Sequence, residues 1–474
     1  MLKRFYSPRR HGEHRENQSL IRTLCVLCAS VVIFSACAGK VKEPSVAGSF
    51  YPSDEKVLRE TVDGFLANAE NSPVDGRLIA LISPHAGYPY SGQVAAYTYK
   101  HLKERDIETI ILIGPSHHKS FKGVSVYTEG SFRTPLGNIR INERIAESLI
   151  NKDADVAFYP DAYEKEHSLE VQLPFLQRQL KEFRIVPILI GSPTQRSYEY
   201  LTAKLTEVLR DNEKVMIIAS TDLSHYHDYG TAVAMDGKVT DAIERVSIED
   251  IEKDMKSGEG ELCGGYPVLF TMAVARNLGA TNGVLYKYAN SGDVTGDKGR
   301  VVGYAAMGLY KSPLSASQKE ELLSLAKETI TSYVRDRKIP EIKPDDKRLN
   351  ANGAAFVTIN RNGNLRGCIG SIQAVMPLYQ SVVKNAVSAS SNDPRFPPMT
   401  KEELSDIDVE VTVLSPLEQL KDVSEIEIGK HGLYMEKGRN SGIFLPQVAT
   451  EFGWDRDTFL DQLCKKAGLP KGAW

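Results

Sequence analysis

Three short apolar runs in the first half of the chain end in the same way. Leu78–Ile82 stops at Ser83-Pro84 and delivers His85 into a loop closed by Gly87. Thr109–Ile113 runs into Gly114-Pro115-Ser116-His117-His118, and Val215–Ala219 into Ser220-Thr221-Asp222-Leu223-Ser224-His225. Runs of this length, bounded by turn formers, predict buried strands. Further strands are predicted at Val124–Tyr127, Ile185–Ile190, Val284–Ala289 and Val301–Leu309. Between them, apolar residues at helical spacing predict helices around Val94–Glu104, Glu143–Ile150, Leu173–Glu182, Ser197–Arg210, Ala232–Val246, Ile248–Ser257 and Tyr266–Leu278. This alternation predicts a three-layer α/β domain with a largely parallel sheet. Such sheets collect reactive groups at the carboxyl ends of their strands, so three imidazoles are expected along one rim.

Past Ser312-Pro313-Leu314-Ser315 the pattern changes. Ser317, with Glu320 three residues on, predicts a capped helix carrying Leu322, Leu325, Ile330 and Val334 on one face. Lys338–Arg348 reads as a loop. Strands at Ala354–Ile359 and Asp408–Leu414 flank a helix at Met376–Ser390, and the apolar stretch Ser441–Val448 precedes a last helix at Thr458–Ala467. The second half is therefore α+β. The expected division is a first domain over Glu43–Lys311, a linker over Ser312–Ser317 and a second domain over Gln318–Trp474.

The N-terminus differs from everything after it. Lys3, Arg4, Arg9, Arg10, Arg15 and Arg22 precede the apolar run Leu24–Phe34, too short to span a bilayer but of signal-peptide length. It ends in Ser35-Ala36-Cys37, which resembles a bacterial lipobox with Phe34 where leucine is preferred. This predicts a signal over residues 1–36, lipidation at Cys37, a lipidated linker over 37–42, and an exported, membrane-anchored lipoprotein in the periplasm or at the cell surface. An unused signal would leave the chain cytoplasmic. Cys25 and Cys28 would leave with the signal, and Cys263, Cys368 and Cys464 are too scattered for a disulfide framework. A 474-residue chain with a formal net charge of −3 has no basic footprint for nucleic acid. Neither GxGxxG nor a Walker loop occurs, so nucleotide cofactors have no sequence support.

Any one of His85, His117 and His225 could be structural. At equivalent strand ends they point instead to a metal, because two histidines and one anionic ligand leave open positions for substrate and dioxygen. The anionic ligand is either Cys263, between Leu262 and Gly264-Gly265 at the mouth of a helix, or Asp222, three residues before His225. Asp222 as a helix N-cap is the plain alternative. His167 and Glu170, three apart, could support the pocket from behind, with Glu166 beside them.

Several motifs carry a resemblance: Ser49-Phe50-Tyr51-Pro52, Pro84-His85-Ala86-Gly87-Tyr88, Gly114-Pro115-Ser116-His117, Thr134-Pro135-Leu136-Gly137, Glu166-His167-Ser168-Leu169-Glu170-Val171 and Ser220–Tyr226. In this order and spacing they resemble the Memo family, also called AmmeMemoRadiSam system protein B, over Glu43–Lys311. The resemblance implies a fold like that of class III extradiol dioxygenases, with His85, His117 and Cys263 lining the metal pocket and Asp222 and His225 beside them. A cysteine stands where those dioxygenases use a glutamate. By the same analogy His225 is the acid/base group, with Asp222 orienting it or reaching the metal. Leu365-Arg366-Gly367-Cys368-Ile369-Gly370, Asp408–Pro416 and Gly442–Ala449 resemble the AMMECR family, AmmeMemoRadiSam system protein A. There Arg366, Cys368 and Glu410 form a possible second site, as a nucleophilic thiol or, more plainly, a binding loop.

The expected function is that of a non-haem oxidoreductase, dioxygenase-like, acting on a small metal-chelating substrate. Fe(II) is the expected cofactor, with Cu or Zn as alternatives. A non-catalytic iron- or copper-binding or partner-binding protein and a metal-dependent hydrolase are the competing readings. The system's name also records a radical SAM protein as an implied partner.

Overall fold

The computed structural model describes residues 2–6, 40–70, 74–210, 212–420 and 422–474. Leu24–Phe34 and Cys37 lie outside the described residues. The chain divides into two compact units: Lys42–Glu418, and the C-terminal Gln419–Trp474 together with the N-terminal strand Leu2–Tyr6.

In the larger unit four parallel strands, Arg77–Ser83, Val215–Ser220, Thr109–Pro115 and Arg184–Ile190, lie side by side in that order. Every residue of Thr109–Pro115 and Val215–Ser220 is buried, as expected for strands covered on both faces. The sheet is mixed rather than largely parallel. Val301–Lys311 adds antiparallel to Arg77–Ser83, Asn282–Asn290 pairs with it in turn, and the hairpin Ser131–Thr134 and Gly137–Ile141 extends the far side. That hairpin escapes the sequence pattern because its strands are short and polar on alternate residues. Register decides where the loops emerge: Ser220 pairs with Ser83 and Ala219 with Ile113, so the three histidine-bearing loops leave from one level of one rim.

The helices appear where expected, with boundaries moved by capping. The helix after His85 spans Tyr88–Lys100, starting well before Val94, because Gly87 stands at the N-cap and Pro89 occupies the first turn, where its missing N–H costs nothing. Ser315, not Ser317, caps the next domain's first helix, Ala316–Asp336, in a capping box with Gln318.

The three antiparallel strands Ala354–Arg361, Asn364–Gly370 and Ile407–Leu414, with Ala354–Arg361 central, belong to the larger unit. Ala355, Val357 and Ile359 form a core with Leu322, Ala326 and Ile330 of one helix and Val382 and Ala386 of another, Leu378–Ser391. Lys347 joins this lobe to the first domain through Asp241 (2.7 Å) and Glu244 (2.5 Å). Asn364–Gly370, which contains Arg366-Gly367-Cys368, is therefore a strand and not a loop.

In the smaller unit Leu2–Tyr6 pairs antiparallel with His431–Met435, and Asn440–Phe444 with Leu433–Lys437. Leu433 and Met435 pack on Phe459, Leu460, Leu463 and Cys464, all four on the helix Arg456–Lys466. Leu2–Tyr6 belongs to the segment expected as a signal over residues 1–36.

Candidate metal centre

His85 leaves the sheet two residues past Ser83 and is buried. Its backbone N–H donates to Asp222 Oδ1 at 2.7 Å, and its Nδ1 lies 2.9 Å from Ser220 Oγ. Ser220 gives its own hydroxyl proton to the Ser168 carbonyl at 2.6 Å, so its lone pair accepts from His85 Nδ1–H. Gln172 Nε2 donates to the same hydroxyl at 2.9 Å. This fixes the tautomer and leaves His85 Nε2 unprotonated, with Cys263 Sγ 2.9 Å from its lone pair.

His117 reaches the same state by another route. Its Nδ1 lies 2.8 Å from Glu166 Oε1, and a carboxylate can only accept, so Nε2 is again left free. Glu166 is buried and also accepts from the backbone N–H groups of His117 (2.5 Å), His167 (3.0 Å) and Ser168 (2.9 Å). Burial by itself would raise its pKa, but the His117 hydrogen bond and these N–H groups outweigh it and hold the carboxyl at about 2. Gly114 makes this possible: a Cβ there would stand 2.7 Å from Ser168 Oγ and Leu169 Cδ2, which would push the Glu166 loop off the strand.

One ring nitrogen each from His85, His117 and His167 lies within 4.8 Å of the others, a group able to hold a metal ion. The His117 and His167 rings stack at 4.5 Å, and His85 stands edge-on to both at 5.1 and 5.5 Å. Burial, and then the neighbouring imidazoles, push His85 well below its ordinary range. Burial lowers His167 to about 4, with Glu166 opposing. Burial favours the neutral form of His85 and His167, the form a transition metal requires, and the group against His85 Nε2 is the Cys263 thiol, itself a metal ligand once deprotonated, so the residues present fit such an ion.

Asp222 and Cys263 face this group from the side. Asp222 caps no helix: its carboxylate accepts from the N–H groups of His85 and Ala86, at 2.7 and 3.3 Å, and so holds the His85 loop. Burial raises it to about 6. Asp222 N–H donates to Cys263 Sγ and Cys263 N–H to the Asp222 carbonyl, both at 3.3 Å, and Sγ lies 2.9 Å from His85 Nε2. Burial, then the Asp222 charge, push the thiol well up, so without a cation it is protonated. Gly264 allows this approach, since a Cβ there would sit 2.5 Å from the Ser220 carbonyl oxygen. His225 donates from Nδ1 to the Leu223 carbonyl at 2.9 Å, which leaves its Nε2 as a base. Its ring lies within electrostatic reach of both Asp222 and His85.

The structure therefore brings together His85, His117, Cys263, Asp222 and His225, and adds His167 as a ligand candidate. Glu170 lies elsewhere. Its buried carboxylate accepts from Ser45 N–H (2.7 Å), Val46 N–H (2.9 Å), Tyr51 hydroxyl (2.7 Å) and Lys42 Nζ (3.2 Å). It anchors the segment whose Phe50 packs on His167 at 4.7 Å. In the second domain Cys368, Thr358 and Glu410 form one row across three strands, with the Thr358 hydroxyl 3.2 Å from Cys368 Sγ. Arg366 is engaged by Glu403 at 2.7 and 3.0 Å rather than by the thiol. Sequence reasoning passed over Ser220 and Gln172, whose polar side chains inside buried runs were the available signal.

An imidazole cluster at the carboxyl edge of a mixed α/β sheet, with His85 buried, His167 half-buried and His117 open to solvent, defines a candidate metal-binding α/β protein. Residues 42–308 match the family described as Memo-like protein and residues 323–474 the one described as AMMECR1, and the chain belongs to the Memo family. Its first domain has the class III extradiol dioxygenase-like fold and is followed by the AMMECR1 domain. The chain is 36% identical over 278 residues to MEMO1 family protein MK0963 of Methanopyrus kandleri, a match covering 56% of this chain and 98% of the relative. It is 37% identical over 278 residues to a MEMO1 family protein of Aquifex aeolicus, with the same two coverages. The crystal structure of an uncharacterized protein of Pyrococcus horikoshii, PH0010, is 38% identical, covers 33% of this chain and 83% of that one, and superposes with a TM-score of 0.32.

Proposed function

We propose that the Memo domain is a mononuclear metal-dependent oxidoreductase with Fe(II) as its ion and a small metal-chelating molecule as substrate. The observation that supports it is the lone pairs of His85 and His117, freed at Nε2 by Ser220 and Glu166 and joined within 4.8 Å by a nitrogen of His167. His85, His117 and His167 would hold the ion as neutral donors, and Cys263 would add an anionic one on losing its proton. When bound, Fe(II) supplies Lewis acidity and electrons for dioxygen.

The chain's own groups do the rest. Asp222 holds the His85 loop through two N–H groups, and Glu166 holds His117. His225, with Nε2 free, takes a proton from a substrate hydroxyl and returns it later. The AMMECR domain and a radical SAM partner would belong to the same system. Export, with lipidation at Cys37, rests on the basic, apolar and Ser35-Ala36-Cys37 pattern alone.

The test is metal analysis of anaerobically purified protein, followed by oxygen uptake with ortho-diphenols. About one iron per chain and substrate-dependent oxygen uptake support the reading. Stoichiometric metal without turnover would favour iron or copper handling, and a zinc-loaded, hydrolytically active protein would favour a hydrolase.

A further inference from the structure

The acid/base histidine is followed by an anomaly. Tyr226 has φ of +62°, a left-handed conformation that a bulky side chain adopts only under constraint. The constraint is a β-bulge: His225 pairs with Val302 and His227 with Val301, so Tyr226 is the extra residue. Bulges beside active sites serve to re-aim a side chain. Here the ring turns outward, 62% exposed, edge-on to the His225 ring at 5.7 Å and under the Arg300 guanidinium at 5.0 Å.

Two more exposed tyrosines follow the other site loops at short range. Tyr90 lies in the first turn of the helix after His85, and Tyr266 in the first turn of the helix after Cys263. Among the described residues four tyrosines are strongly exposed, and three of them, Tyr90, Tyr226 and Tyr266, flank this centre. The buried Tyr304 hydroxyl is pushed up by burial first and then by the Asp222, Tyr90 and Tyr226 groups within electrostatic reach of it. Arg300 has no carboxylate partner among the described residues; its interaction is with the Tyr226 ring. The nearby Glu261 is engaged by His227 at 2.8 Å.

The geometry points to Tyr226 and Arg300 as the specificity-determining pair of the proposed metal site, selecting a flat chelating substrate that carries an anionic group on the end away from the metal. A flat molecule lies against tyrosine faces with little entropic loss, and an unpaired guanidinium beside them favours a carboxylate or similar anion. The bulge keeps this pair next to His225, so the end held by Arg300 and the hydroxyl facing His225 belong to one ligand. The inference rests on the metal reading above and adds the charge of the substrate to it.

The experiment uses the full chain loaded with one equivalent of metal, with catechol, 4-methylcatechol and 3,4-dihydroxybenzoate as probes, titrated calorimetrically with metal content measured beside each titration. The expected result is at least tenfold tighter binding of the benzoate than of the two neutral diphenols. Arg300→Ala should abolish that preference and keep both metal and catechol binding, whereas Tyr226→Ala weakens all three probes. Equal binding of the three probes by the parent protein, or an unchanged preference in Arg300→Ala, overturns the proposal while the metal site stands. A protein that retains no metal fails the functional reading itself, a result separable from the other two by the metal assay.

Discussion

The Glu166 carboxylate meets the His117 imidazole at 2.8 Å, Oε1 to Nδ1, and this single contact decides which nitrogen of His117 faces the centre. A carboxylate behind a metal-binding histidine raises the basicity of the ligand and fixes its ring. Glu166→Gln is therefore expected to weaken metal binding by about 10- to 100-fold, and His117→Ala to abolish it. Competition with a chelator of known affinity measures both.

Cys263 Sγ touches His85 Nε2 at 2.9 Å but is not part of the three-histidine group. With Co(II) as a spectroscopic probe, the parent protein is expected to show a thiolate-to-metal charge-transfer band. Cys263→Ala should lose the band and keep the ion, whereas His167→Ala should lose the ion. Metal retained in His167→Ala and lost in Cys263→Ala would exchange their roles.

His225 holds its proton at Nδ1 against the Leu223 carbonyl and offers Nε2 as the base. His225→Ala should keep stoichiometric metal and lose about 10²- to 10⁴-fold in turnover, the usual contribution of a positioned acid/base group. Loss of the metal along with turnover would make His225 a ligand instead.

Acid should destabilise the metal-free protein. His167 is lowered to about 4 in the fold, chiefly by burial, from an ordinary value near 6.5. Between those values the unfolded chain binds the extra proton, so stability is full above 6.5 and falls as the pH drops towards 4, by roughly 3 kcal/mol. His85 acts in the same direction. Urea unfolding of metal-stripped protein at pH 7, 5.5 and 4 measures the slope, which His167→Gln should make shallower.

Cleavage before Cys37 would remove Leu2–Tyr6, the strand paired with His431–Met435. Labelled palmitate is expected on the parent chain and absent from Cys37→Ala. An intact, unlabelled N-terminus in cells would instead leave that strand in its sheet and withdraw the export proposal.

The primary structure by itself determined the elements and the rim. Buried strands such as Val215–Ala219 are continuous apolar runs, and turn formers after them place His85, His117 and Asp222 in loops wherever the strands align. The motifs also identified both domains. Tertiary structure decided what local pattern cannot encode. Asp222 turned out to hold the His85 loop rather than a helix end, because its acceptors' donors lie far back in the sequence and arrive only when Arg77–Ser83 and Val215–Ser220 pair in register. His167 joined the metal group, and Glu170 left it, through the folding of one irregular loop with no periodicity to read. The mixed sheet followed from Val301–Lys311, whose apolar run would suit either direction, since burial fixes which residues enter a sheet and only chain topology fixes their sense.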